Sequence, residues 1–100
     1  MRQGTTPTHT FKTPCPTGAV KSALIVYAQN DKKILCKTLD DCEISDEKIS
    51  LTLTQEETFL FEADQAMSFQ VRILTTSGKA LASDIVPDYV YPSLSEEVLE

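Results

Sequence analysis

From Lys48 to Thr54 apolar and polar residues alternate one for one, with Ile49, Leu51 and Leu53 separated by Ser50 and Thr52. A two-residue period predicts a strand with one buried face. The period returns in "MSFQVRILTT" (Met67 to Thr76), where Phe69, Val71 and Ile73 face in and Gln70 and Arg72 face out. "SALIVYAQ" (Ser22 to Gln29) is nearly unbroken apolar and β-branched, the pattern of a central strand. "NDKK" then supplies turn chemistry, and "KILCKTL" (Lys33 to Leu39) runs back as the second arm of a hairpin. "TSGK" (Thr76 to Lys79) predicts another tight turn, with Gly78 where a positive φ is needed, and "ALASDIV" returns from it.

Shorter signals fill the gaps. "THTFKT" (Thr8 to Thr13) is β-prone, and Pro14 and Pro16 break it before Gly18. "DYVY" (Asp88 to Tyr91), between Pro87 and Pro92, suits an edge strand or a tail. "TQEET" (Thr54 to Thr58) fits a capping box, with Thr54 and Glu57 satisfying each other's amides around one helical turn. The alternative for it is a polar loop. "FLFEA" (Phe59 to Ala63) reads as a return to extended chain, with Phe59 and Phe61 plugging the core. A capped turn here is a way for the chain to leave one sheet and enter another.

Short strands about ten residues apart, with turn signals between them, predict an all-β antiparallel sandwich or barrel. The expected organisation is a flexible arm over 1–7, a single domain over 8–91 and a C-terminal tail over 92–100, with a frayed turn capped by Ser93 or Ser95. The expected inward set is Leu24, Val26, Leu35, Ile49, Leu51, Leu53, Phe59, Phe61, Phe69, Val71 and Ile73. Ile25 and Tyr27 are expected to point away from it.

At 100 residues and 41% hydrophobic content, the chain is long enough for one core without staples. No apolar run approaches the ~20 residues of a membrane span, and the first residues lack the apolar stretch of a secretory leader. Cys15, Cys36 and Cys42 are odd in number and form no CxxC pair, so free thiols are expected, with Cys36 as a buried small hydrophobe. The net charge of −6 divides into +5 over residues 1–39 and −11 over residues 40–100. No basic patch interleaved with aromatics marks a nucleic-acid binder.

Little chemistry stands out. His9 is the only histidine, and no nucleophile or orienting acid lies near it in the sequence. The acidic stretch around Asp40, Asp41 and Glu43 lacks the glycine of a calcium loop. No catalytic residue, cofactor site or metal site is expected. Tyr89 and Tyr91 share one face of a strand by period two. With Asp40, Asp41 and Glu43 they are the candidate partner contacts.

The strings "RQGTTPT", "YAQNDKKILCKTLDDC", "LTQEET" and "QVRILTTSGKALASDI" resemble small proteins encoded in prophages of Gram-positive gut bacteria. The resemblance spans Arg2 to about Val86, and Phe11 to Gly18 departs from it. More distantly, the strand–"LTQEET"–strand layout is similar to the immunoglobulin-like N-terminal domain of phage baseplate proteins. The resemblance implies an immunoglobulin-like sandwich of about 6–8 short strands with a helical turn near 55–58. It also implies a non-enzymatic structural or assembly protein of the virion, made in the bacterial cytoplasm. Its expected partners are other phage structural proteins or further copies joined at sheet edges, not nucleic acid or membrane. The alternative expectation is an acidic cytoplasmic protein that binds and modulates a host protein.

Overall fold

Asn30 and Asp31 both take left-handed backbone, with φ of 54° and 62°, and turn the chain back on itself within two residues. Gly78 does the same at φ 89°. Such turns cut the chain, described over residues 1–100 by a computed structural model, into eight strands. These are β1 (Thr8–Lys12), β2 (Val20–Gln29), β3 (Lys32–Thr38), β4 (Glu43–Ser45), β5 (Lys48–Thr52), β6 (Gln65–Thr75), β7 (Ala80–Ala82) and β8 (Val86–Val90). One helical turn, α1 (Gln55–Thr58), lies between β5 and β6.

The strands form two antiparallel sheets. One has the order β1-β5-β4. The other runs β3-β2-β6, with β7 and β8 sharing the far side of β6. Between β7 and β8 the register against β6 shifts by one residue, so the two are halves of one bulged strand. If β1 to β6 are lettered B, C, C′, D, E and F, and the bulged strand G, the orders become B-E-D and C′-C-F-G. That is the connectivity of an immunoglobulin-type sandwich without its first strand.

The capping box forms as the sequence predicts. Thr54 Oγ1 accepts the Glu57 amide at 3.2 Å, and Glu57 Oε1 accepts the Thr54 amide at 2.9 Å. The turn carries the chain from the three-stranded sheet to the five-stranded one. Phe59 to Ala63 then forms turns instead of extended chain, because the crossing has to reverse direction before β6. Phe61 is still buried, while Phe59 is only half-buried.

Ile49, Leu51 and Leu53 meet Phe69, Val71 and Ile73 across the core. Strand β2 is turned the other way from expectation. Ile25 and Tyr27 are fully buried, while Leu24 is 36% exposed and Val26 half-buried. The reason is register: Ile25 lies opposite Val71 and Tyr27 opposite Phe69, and cross-strand partners share a face. Leu35, opposite Tyr27, is half-buried on the same side. Cys36 is exposed, contrary to expectation. Its neighbour Lys37 turns inward at the edge of the sandwich to pair with Glu57, which sends Cys36 outward.

Residues 1–7 dock. Gln3 is buried; its Nε2 donates to the Phe61 carbonyl at 2.8 Å, and its amide donates to Tyr91 O at 2.9 Å. Gly4, at φ 78°, donates its amide to Thr58 Oγ1 at 2.8 Å. Arg2 and Tyr91 form an isolated parallel bridge beside the end of β8. In the tail no helical turn forms. Ser93 Oγ donates to Gln3 O, and the Gln55 side chain holds both the amide and the carbonyl of Leu99.

Candidate interaction surface

His9 projects from β1 into the space between the sheets. Its Nδ1 lies 2.8 Å from Tyr27 Oη, and its ring stacks on Phe69 at 4.7 Å between centroids. Burial holds its pKa below the ordinary 6.5, against the pull of Asp88. Burial likewise pushes the Tyr27 phenol up. The pair is a polar bridge across the core. The three cysteines are unpaired. No three His, Cys, Asp or Glu side chains gather as a metal-binding group.

The candidate contact residues fall into two separate places. Tyr89 and Tyr91 project together from the end of β8, with ring centroids 5.0 Å apart, and the Arg2 guanidinium sits 5.5 Å from the Tyr91 ring. Both tyrosines are exposed, at 37% and 48%. Asp40 and Asp41 follow β3, at the opposite edge of that sheet, and Glu43 lies on β4 of the other sheet. Asp41 is engaged locally. Its carboxylate accepts the Thr38 amide at 2.9 Å, and that bond together with Lys37 draws its pKa down. Asp40 and Glu43 are exposed and make no such bond.

The register reveals a larger surface that contains Tyr89. Residues paired across strands share a face, so the outer face of the five-stranded sheet can be read row by row. The first row holds Ser22, Leu74 and Ala80; the next, Thr38, Leu24, Arg72 and Ala82. The central row is Cys36, Val26 and Gln70. Beyond it come Lys33, Ala28, Ser68 and Pro87, and then Ala66 with Tyr89. No residue paired in these rows is acidic, although the chain has 15 acids; Asp84 and Ile85, in the bulge between β7 and β8, lie beside Gln70 at the end of the central row. The only charges at the paired positions are Arg72 and Lys33. A hollow of about 270 Å³ opens in the face beside Leu24, Arg72, Leu74 and Ala80. Leu24, Lys33, Cys36, Thr38, Arg72 and Tyr89 on this face are exposed.

A second concavity, of about 330 Å³, lies between β1 and β7 and is lined by Phe11, Ile49, Val71, Ile73 and Leu81.

The signal for the outer face was present in "SALIVYAQ". A strand apolar on both faces calls for cover on both, and here the chain supplies it on one. The chain matches no protein-family model, no curated protein and no solved structure.

Proposed function

We propose that this chain is a non-enzymatic β-sandwich that works through protein–protein contact, with the outer face of the five-stranded sheet as its contact surface. The observation that carries the reading is the composition of that face: apolar and hydroxyl side chains around Gln70, with two cations and no acid at the paired positions, on a strongly acidic chain. Charge depletion around an apolar centre with aromatic and arginine residues is how contact surfaces differ from ordinary protein surface. The sheet edges are less inviting. β4 and β7 are three residues each, β8 carries Pro87 and is flanked by Arg2, and a bulge separates β7 from β8. Short or interrupted edges protect against strand addition, and β3, the longest edge at seven residues, carries Lys32 and Lys33. His9, the one imidazole, is engaged with Tyr27 in the core.

Joined to the prophage resemblance, the proposal is that the chain serves as a virion or baseplate assembly component. The test is proteomics of purified particles from a lysogen carrying the gene, with the wild-type chain or with Leu24→Asp. Wild-type chain in the particles at a fixed copy number, and its loss in Leu24→Asp, is the expected result. Absence of both from particles overturns the virion role. A second reading, an acidic cytoplasmic modulator of a host protein, draws on the exposed carboxylates of Asp40, Glu43, Asp46 and Glu47. It predicts a chain found only in the soluble lysate, bound to a host protein and released by Asp40→Asn with Glu43→Gln.

A further inference from the structure

We infer that the partner of the outer face is a second copy of this chain, packed face to face about a two-fold axis along the row Cys36–Val26–Gln70. The inference rests on the reading of this face as a contact surface.

The size suits a dimer. Four strands about 4.8 Å apart and some eight residues long at about 3.3 Å each span roughly 19 by 26 Å. That is on the order of 500 Å² in projection, and more with side-chain relief, approaching the ~800 Å² per partner of stable interfaces.

The pattern of side chains is self-complementary. In an isologous contact residue i meets j and j meets i. An axis along the Val26 row lays the Leu24 row of one copy on the Ala28 row of the other. Leu24 then meets Ala28, and Arg72 meets Ser68. One row further out, Leu74 meets Ala66 and Ala80 meets Tyr89. Off the axis each large side chain falls on a smaller one, as interdigitated sheet packing requires, while on it Val26 and Gln70 each meet their own counterpart. Both cations avoid each other: Arg72 reaches a serine hydroxyl and Lys33 the Thr38 hydroxyl. The absence of acids at the paired positions, which leaves a cationic partner nothing to pair with, is no handicap in this arrangement. On the axis Cys36 meets its own counterpart, with sheets about 10 Å apart.

Sedimentation equilibrium tests the arrangement. Wild-type chain should dimerise at micromolar concentration. Ala28→Leu places large on large and should weaken the dimer about tenfold or more. Leu24→Ala combined with Ala28→Leu restores large on small and should recover it. A short bismaleimide should join two chains through Cys36, and Cys36→Ser should abolish the link. Thermal melts and circular dichroism establish that each variant is folded, as expected for outward positions. A wild-type chain that is monomeric throughout, or a dimer indifferent to Ala28→Leu, overturns the inference. If the wild-type chain is monomeric but Leu24→Asp is still lost from particles, self-association falls and the contact-surface reading stands. If Leu24→Asp changes neither property, both fall.

Discussion

The Tyr27 hydroxyl, on the five-stranded sheet, meets His9 Nδ1, on the three-stranded sheet, at 2.8 Å. It joins the two layers through a half-buried polar contact among the aromatic rings of the core. Tyr27→Phe keeps the ring and its packing against Phe61 and Phe69 but leaves the His9 nitrogen without its partner. The expected loss is about 1–3 kcal/mol, read by urea denaturation. No change in midpoint would mean that water replaces the phenol without cost.

The same pair gives the protein a pH dependence. His9 has a folded pKa below 6.5, so the unfolded chain binds the proton more readily. The stability this contributes is complete above 6.5 and is lost as pH falls through the folded value. Thermal melts of the wild-type chain should fall across that window. His9→Gln should flatten the slope there.

Glu57 caps α1 with one oxygen and holds Lys37 with the other. Burial works against its charge, but the bonds from Lys37 and Thr54 outweigh it and draw its pKa below 4.5. The Lys37 ammonium is raised, chiefly by its bond to Glu57. The Glu57 contribution is therefore present above 4.5 and lost as pH falls through the folded value. Glu57→Gln should melt with a shallower acid dependence than wild type in that range.

Thr54→Ala should cost about 0.5–2 kcal/mol by removing the cap, and Thr54→Asp should be nearly neutral. Thr52, two residues earlier, bonds Thr8 Oγ1 at 2.7 Å on the exposed face. Thr52→Ala should lose only a cross-strand pair, roughly 0.2–1 kcal/mol. Equal denaturation midpoints for Thr54→Ala and wild type would show that the turn does not depend on its cap.

The two faces of β2 are separable by mutation. Ile25→Ala opens a cavity in the core and should cost about 2–5 kcal/mol. Leu24→Ala, on the outer face, should change the stability of the isolated chain by less than about 1 kcal/mol. The opposite ranking in chemical denaturation would restore the orientation expected from the sequence.

Strands whose apolar residues alternate with polar ones were legible. Ile49 and Leu51 are separated by Ser50, and Val71 and Ile73 by Arg72, so each strand declares its own inward face. β2 does not, because Leu24, Ile25 and Val26 are all apolar. Only its pairing with β6 decides, and pairing is non-local. Cys36 was expected inside for a related reason, but Lys37 beside it takes that side because Glu57, twenty residues on, offers it a partner at the margin of the core. The two-sided apolar run of β2 signalled that both its faces want cover, but which residues make up the outer face follows only from the pairing. Of the candidate contacts, Tyr89 belongs to that face and Tyr91 packs beside it, whereas Asp40 and Asp41 lie at the opposite edge of the sheet and Glu43 lies on β4 of the other sheet.

The one-residue bulge between β7 and β8 makes this stretch tolerant of a change in chain length. Before it Leu81 points inward; after it Val90 does, so odd positions give way to even ones. Removing Asp84 would straighten the strand while leaving Leu81 opposite Ile73 and Val90 opposite Gln65. Related chains one residue shorter here can therefore share both ends of the strand unchanged, and an alignment should place its gap between Ser83 and Ile85.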